Sequence, residues 1–294
     1  MPHLDFNERD LRSLRIFCAV AEAGGFAAAE HRLNLSKASI SRHVREVEER
    51  LGVRLCERGP GGFKLSAAGI VAVDLASNAL KSLERIRPEI DAVRGVLSGT
   101  LSIGMTEHVI THDHCRIPEA LATLRRRASG VQPELTVMNF AQLNDALRER
   151  RVEVAIRGMY KKDRVFDYQK LFVEVHRVYV SKEGARGRRR LLPLVYRPHP
   201  FVEQAIAEHG FERGPDVGGL EAIGVLVATG NYAGLLPEHY AKLVAKRHSL
   251  VALTSGPVFE NTICAITEAS RPLTQRAKLF LEVLRGLHAG ATDA

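Results

Sequence analysis

Tryptophan is absent from this chain, and aromatic residues make up only 6% of its 294 positions. A core must then be filled by aliphatic side chains, and a hydrophobic share of 45% supplies enough of them. No apolar run reaches the length of a membrane-spanning helix. The four cysteines, Cys18, Cys56, Cys115 and Cys264, form no CxxC pair. That spacing argues against a disulfide framework and for reduced thiols buried as small hydrophobes. Met1-Pro2-His3-Leu4-Asp5 is no basic segment leading into an apolar run, so no export signal is expected. Low-complexity tracts are missing too. Together these absences predict a soluble, cytoplasmic protein, not attached to a membrane.

What is present begins with length and charge. A chain this long exceeds one small core and predicts two or three domains. A formal charge of +8 is a modest pointer to a polyanionic partner. The stretch from Ser36 to Gly52 sharpens that pointer. Ser36 is a good N-cap and Gly52 a good C-terminal stop. Ile40, Val44, Val47 and Leu51 make one apolar stripe at helical spacing. The opposite face carries Ala38, Arg42, Arg45 and Glu49, flanked by Lys37, Ser39 and Ser41. Such a face is either solvated surface or shaped to enter a groove, where hydroxyls and arginines reach base edges and phosphates.

The neighbours favour the groove. Asp10 can cap a helix running to about Ala23, which Gly24-Gly25 stops. A short Ala-rich helix from Phe26 to Leu33 follows, then a tight turn at Asn34-Leu35. Two short helices so joined cross at a large angle, as in a helix-turn-helix. Beyond Gly52, residues 53–58 and 63–65 alternate around a Gly/Pro turn and read as a β-hairpin. Arg58 and Lys64 sit where such a wing could grip the phosphate backbone.

From Leu14 to Gly69 the chain resembles the DNA-binding half of LysR-type transcriptional regulators. The matching residues are Phe17, Gly24-Gly25-Phe26, Ala29, Leu33, Ser36-Lys37-Ala38-Ser39-Ile40-Ser41-Arg42, Val47-Glu48, Leu51-Gly52-Val53, Leu55-Cys56-Glu57-Arg58 and Leu65-Ser66-Ala67-Ala68-Gly69. The departures are Lys37 for the usual Gln, Ala38 for Pro, Glu30 for the second Ala and Cys56 for Phe. The resemblance implies that Lys37, Ala38, Ser39, Ser41 and Arg42 face the major groove of double-stranded DNA and that Arg58 serves the wing. A lysine prefers guanine acceptors or phosphate where a glutamine can read adenine. The half-site is therefore expected to differ at one position, unless Lys37 only touches phosphate.

Ser66 to about Arg87 reads as one long helix. Gly69, Val73, Ala76, Leu80, Leu83 and Ile90 recur at near-heptad intervals, the mark of a helix that pairs with another helix. The resemblance implies a linker helix that pairs two subunits, and a dimer of dimers. Pro88 interrupts or ends the helix, and residues 95–99 form a hinge.

The remainder alternates strand and helix: Thr100–Met105, a helix from Pro118, Glu134–Phe140, a helix from Gln142 to Arg150, and Val152–Ile156. That order means a parallel sheet. A second set starts at Phe172–Val180, and an amphipathic helix ends it at Leu273–Leu287. Two α/β lobes joined by crossing strands enclose a cleft at the strands' carboxyl ends. This half resembles, more loosely, the family's effector domain, which is similar to periplasmic binding proteins. The matches are Leu101-Ser102-Ile103-Gly104, Leu226-Val227-Ala228-Thr229-Gly230 through Leu235-Leu236-Pro237, and Arg271-Pro272-Leu273-Thr274. Tyr232 replaces a usual glycine, and the stretch from Ser181 to Pro198 is short and rich in arginine at Arg186, Arg188, Arg189 and Arg190.

The expected architecture is α+β and multidomain. A winged helix-turn-helix spans residues 1–65, a linker helix and hinge 66–94, and a two-lobed effector domain 95–294. The lobes are expected at about 95–165 plus 265–294, and at 166–264. DNA contacts are expected from Ser36, Lys37, Ala38, Ser39, Ser41, Arg42, Arg45, Arg58 and Lys64. Cleft candidates are Thr106, Glu107, His108, Phe140, Arg157, Arg197 and His199. Thr106 falls where the resemblance implies a hydroxyl for an effector carboxylate, and Arg157 or Arg197 could clamp an anion. His108, His112, His114 and Cys115 lie close together but lack the spacing of a structural zinc site, so no metal and no cofactor are expected. No GxSxG elbow, Walker loop, GxGxxG after a strand or paired-carboxylate signature supports an enzyme using the cleft. A DNA-binding regulator without an effector is the alternative, and an architectural protein would not need so large an α/β half.

Overall fold

The structure is a computed structural model and describes residues 6–59, 62–185 and 191–289. It forms two compact units that divide between Ile90 and Asp91. The first contains α1 (Glu8–Glu22), α2 (Phe26–Leu33), α3 (Lys37–Leu51), β1 (Cys56–Gly59), β2 (Gly62–Leu65), α4 (Ala67–Glu84) and the start of α5 (Ile86–Val93). Asn7, rather than Asp10, caps α1. Asp10 takes the third helical position, and its carboxylate accepts the Asn7 N–H at 2.9 Å in a reciprocal capping box. Asn34 adopts a left-handed backbone at φ 51°, which makes the sharp turn into the Ser36 cap. Phe17, Val20, Ile40, Val44 and Leu55 are fully buried at the centre of this unit. β1 and β2 pair antiparallel as a hairpin.

The linker region differs from the expectation. Pro88 has no N–H to give the Glu84 carbonyl, so the helix breaks at Arg85. It resumes as α5 with Pro88 in its first turn, where no donor is needed. The near-heptad row also divides. Ala76 and Leu80 are buried in the core they share with α1 of the same chain and Gly69 is buried against Leu55 and Leu65, whereas Leu83 and Ile90 are exposed. Ile70, Val71, Leu75 and Ile86 are exposed beside them.

The second unit continues with β3 (Ser98–Met105), a 3-10 turn (Val109–Thr111), α6 (Ile117–Arg127), β4 (Gly130–Val137), α7 (Phe140–Arg148), β5 (Val154–Gly158) and β6 (Phe166–Ser181). Then come β7 (Leu194–Tyr196), α8 (Pro200–Glu208), β8 (Arg213–Asp216), α9 (Leu220–Ala228), β9 (Gly234–Pro237), α10 (Glu238–Ala245), β10 (Leu250–Ala252), β11 (Val258–Glu268) and α11 (Gln275–Ala289). Among the described residues one sheet runs in the order β10-β6-β11-β5-β3-β4, with β9 also on β6. Only β4, β3 and β5 are mutually parallel in it. β6 and β11 pair antiparallel from Val258↔Arg177 to Glu268↔Phe166. They carry the chain between two halves.

The half built on β3, β4 and β5 has a core of Leu101, Ile103, Leu124, Val154, Ile156 and Phe280. The other half centres on Val178, Leu194, Val202 and Leu235, and on Val195, Ile223 and Leu236. Phe140 is not in a strand, as the sequence suggested. Asn139 and Gln142 close a capping box and make Phe140 the first residue of α7. The arginine run at Arg186, Arg188, Arg189 and Arg190 lies outside the described residues. No helix among the described residues is long and apolar enough to cross a membrane.

Candidate nucleic-acid interface and ligand cleft

The outward face of α3 begins at its cap. Ser36 Oγ accepts the Ser39 N–H, and the Glu30 carboxylate of α2 accepts the Lys37 N–H. Two of the helix's orphan donors are thereby satisfied from within the protein. Ser36, Lys37, Ala38, Arg42 and Arg45 are exposed, and Ser39 and Ser41 are half-buried. Lys37, Arg42 and Arg45 make no ion pair among the described residues, so their charges are free to meet phosphate or base acceptors. Lys64 is exposed on β2 opposite Glu57, and Arg58 stands in β1 opposite Phe63. On the inner face His43 is buried at 2.9 Å from Ser13 Oγ, and Ser13 donates to Glu46 at 3.0 Å. Arg9, hydrogen-bonded to Glu46, pulls its carboxyl down to about 2. These contacts fix α3 upon α1.

In the second unit, the loop after β3 reaches the opposite half. Thr106 donates its N–H to Ile156 O at 3.0 Å, within its own half. Glu107 Oε2 accepts the Leu220 N–H at 2.9 Å and so caps α9 of the other half. His108 takes a left-handed backbone and lies 4.0 Å from the Tyr240 ring. His112 stacks on Phe172 at 4.3 Å, and its Nδ1 accepts the His114 N–H. Burial pushes the Cys115 thiol up. Among the described residues no group of three or more His, Cys, Asp or Glu is placed to hold a metal ion.

The two cleft arginines differ. Arg157 is 1% exposed, donates to Asn144 Oδ1 at 2.6 Å and to Gly158 O at 2.7 Å, and lies over the Phe140 ring at 4.4 Å. Its two terminal nitrogens are committed to structure, while its Nε is buried without a partner. Arg197 makes no hydrogen bond or ion pair among the described residues, and its Nε is buried without a partner. Burial lowers its pKa, while Tyr160, Glu107 and Glu174 act on it in the opposite sense.

Beside it lies a buried polar cluster of which the sequence disclosed only His199. Tyr160 Oη is 2.6 Å from His199 Nε2, joining the segment after β5 to the turn before α8. His199 Nδ1 accepts the Phe201 N–H at 3.2 Å. The neutral ring therefore carries its proton on Nε2 and donates it to Tyr160, which leaves the tyrosine's own proton for another acceptor. Burial and then the Arg197 charge hold His199 well below its ordinary range. Glu174 of β6 accepts from His176 at 2.8 Å, His239 at 3.1 Å and Asn261 at 3.3 Å. Burial opposes its ionisation, but the hydrogen bonds from His176 and His239 outweigh burial and hold it well below the usual carboxylate range. A sequence signal for Glu174 and His176 existed: strand alternation puts both on the same face as the buried Phe172 and Val178. Tyr160 and Asn261 carried none.

Two family models match this chain. Residues 11–70 match the bacterial regulatory helix-turn-helix of the LysR family, and residues 94–289 match the LysR substrate binding domain. The chain belongs to the LysR family. It is a DNA-binding transcriptional regulator with a substrate-binding domain. Among curated relatives, HTH-type transcriptional activator BauR of Pseudomonas aeruginosa is 29% identical over 79% of this chain and 80% of its own. The SDS degradation transcriptional activation protein of a Pseudomonas species is 27% identical over 95% of both chains. Full-length CbnR complexed with its target DNA has the same fold, with a TM-score of 0.68, 22% identity, and coverage of 94% of this chain and 99% of that one. This LysR-family member thus combines an exposed cationic helix face in one unit with a buried polar cleft in the other.

Proposed function

We propose that this regulator reads an operator through α3 and reports a small anionic effector bound between the halves of its second unit. Ser36, Lys37, Ala38, Ser39, Ser41, Arg42 and Arg45 face the major groove of double-stranded DNA in this reading. Arg58 and Lys64 of the hairpin hold the adjacent phosphates. The exposed apolar row Ile70, Val71, Leu75, Leu83, Ile86 and Ile90 pairs with the same helices of a second copy, and a dimer of such dimers is the full assembly. A cytoplasmic location follows from access to chromosomal DNA.

Arg197 carries the effector half of the reading. A guanidinium that is partly buried and has no protein partner is costly unless an anion meets it. Tyr160, its hydroxyl proton released by the His199 hydrogen bond, adds a second donor near that charge. Glu107, His108 and Phe140 serve as the cleft's walls, Thr106 lies at its edge, and Arg157 stiffens Phe140. An effector acts by favouring one arrangement of the assembly over another, through differential affinity.

The test uses full-length protein and a duplex selected by that protein from a random library. Fluorescence anisotropy is read with acetate, propanoate, butanoate, benzoate and succinate, each with and without an α- or ω-amino group. At least one of these compounds shifts the apparent DNA affinity, and Arg197→Met abolishes the shift while leaving affinity without ligand unchanged. If Arg197→Met responds to the same compound as the native protein, the assignment of the anion site is refuted.

A further inference from the structure

We propose that the cleft takes a zwitterion, a small amino acid whose carboxylate meets Arg197 and whose ammonium meets His176 and Asn261. The inference rests on the reading of this cleft as the effector site and adds the second charge to it. Buried polar atoms without partners are rare in folded proteins, and each one asks for an explanation. In this cleft they fall into two chemical kinds. Arg197 Nε and Arg157 Nε are donors without acceptors. Of the two arginines only Arg197 also keeps its terminal nitrogens free of hydrogen bonds to the described residues. His176 Nδ1 and Asn261 Oδ1 are without donors.

The acceptor pair is organised by one carboxylate. His176 Nε2 lies 2.8 Å from Glu174 Oε1, and the tautomer that carries its proton on Nε2 offers a lone pair at the buried, partnerless Nδ1. The Asn261 amide donates to the same oxygen at 3.3 Å, so its Oδ1 is left as an acceptor. Glu174, 7% exposed, is ionised behind both. Its charge polarises the two acceptors toward a cationic donor. A second anion would be repelled from this side, whereas an ammonium would be drawn to it.

The register of the crossing strands keeps the pair together. Asn261 lies opposite Glu174 in the β11–β6 ladder, and His176 is two residues along the same face of β6. Gly158 permits the approach, because a Cβ there would stand 1.8 Å from Asn261 Nδ2. The aromatic rings limit the size of the guest. Tyr160 lies edge-on to Phe140, His199 and Phe201 at 5.1, 4.9 and 5.1 Å. His176 of the acceptor end stacks 5.6 Å from His199. Walls of this kind favour a small amino acid.

Isothermal titration of the full chain at neutral pH tests the proposal. The probes are α- and ω-amino acids of two to six carbons, their counterparts lacking the amine, and the matching alkylamines. One amino acid is expected to bind at least roughly 100-fold more tightly than its counterpart lacking the amine, as sites with unmet buried acceptors discriminate. Asn261→Ala and His176→Phe are each expected to cut that ratio at least tenfold, with carboxylate binding retained as the control for folding. Equal binding of amino acid and des-amino acid would overturn the zwitterion while leaving Arg197 as an anion site. Binding of neither series would overturn both readings. The comparison between paired ligands is made on the native protein, so it stands even if a variant fails to fold.

Discussion

Replacing Gly69 by alanine tests whether α4 is held by its own chain at this point. An added Cβ would lie 1.9 Å from Leu55 O, 2.9 Å from Leu55 C and 3.2 Å from Leu65 Cδ2. Carbon–oxygen contacts settle at roughly 3.3 Å or more, so the helix must retreat by about 1.4 Å. That retreat strains the Ser66 N–H bond to Leu55 O at 2.9 Å and the Ser66 hydroxyl bond to Arg54 O at 2.7 Å. Overpacking costs about 1–3 kcal/mol and each weakened hydrogen bond about 1 kcal/mol. Against this, alanine gains about 1 kcal/mol of helix propensity over glycine. The balance is a loss of about 2–4 kcal/mol confined to the first unit. Two units rule out a single two-state melt, so amide hydrogen exchange is the assay. Phe17, Val20 and Leu80 should exchange roughly 30- to 900-fold faster, with amides of Ile103 and Leu235 unchanged. Gly286→Ala, on the exposed side of α11 with nothing near the added carbon, should instead stabilise the second unit by up to about 1 kcal/mol. Unchanged or slower exchange in Gly69→Ala would refute the close approach.

Lys37→Gln should change the base preferred at one position of the half-site in a binding-site selection, and an unaltered site would leave Lys37 as a phosphate contact only. Glu46→Gln should destabilise the first unit by about 0.5–1 kcal/mol at pH 6, a value kept small by the exposure of Arg9. The folded pKa of Glu46 lies below its unfolded value of 4.5, so its contribution is full above that value and is lost as pH falls toward about 2. The gap between native and variant exchange rates should therefore shrink from pH 6 to pH 3.5, and a constant gap would contradict the Arg9 pairing. Glu174→Gln should cost the second unit about 3 kcal/mol in amide hydrogen exchange of its core, because it strands His176, His239 and Asn261 around a neutral amide. A variant as stable as the native chain would show that Glu174 is not ionised.

Much of the first unit was legible because its signals are local. Caps, stops and the Ile40-Val44-Val47 stripe depend on residues within a few turns of one another, and the structure buries that stripe as the spacing requires. The near-heptad row in α4 misled for a tertiary reason. The period shows that a helix packs on another helix, but not that the partner belongs to a different chain. Ala76 and Leu80 pack in the core shared with α1 and Gly69 against Leu55 and Leu65, while Leu83 and Ile90 of the same row are left exposed beside Ile70, Val71, Leu75 and Ile86. In the second unit the parallel β4-β3-β5 core was readable from strand–helix alternation. β11 was not, because Glu260, Asn261 and Thr262 break its apolar pattern at the point where it lines the cleft.

That break is also why Glu174, His176 and Asn261 escaped the sequence. Candidate residues were sought after the ends of parallel strands and around Arg197, and this finds Thr106, Glu107, His108, Phe140, Arg157, Arg197 and His199. Of these, Glu107 is held by Leu220 N–H and the terminal nitrogens of Arg157 by Asn144 and Gly158. The unmet acceptors come instead from the middle of the two crossing strands, where no candidate was named. Their grouping depends on the ladder register that sets Asn261 against Glu174, with Asn261 and Glu174 87 positions apart in the chain. A residue's character can be read from its neighbours, but whether its hydrogen-bonding capacity is already spent depends on partners that only the fold selects. Arg157 and Arg197 are alike as residues, but Arg157 gives both terminal nitrogens to Gly158 and Asn144. Arg197 gives none to the described residues, and that difference favours Arg197 as the partner of an anion.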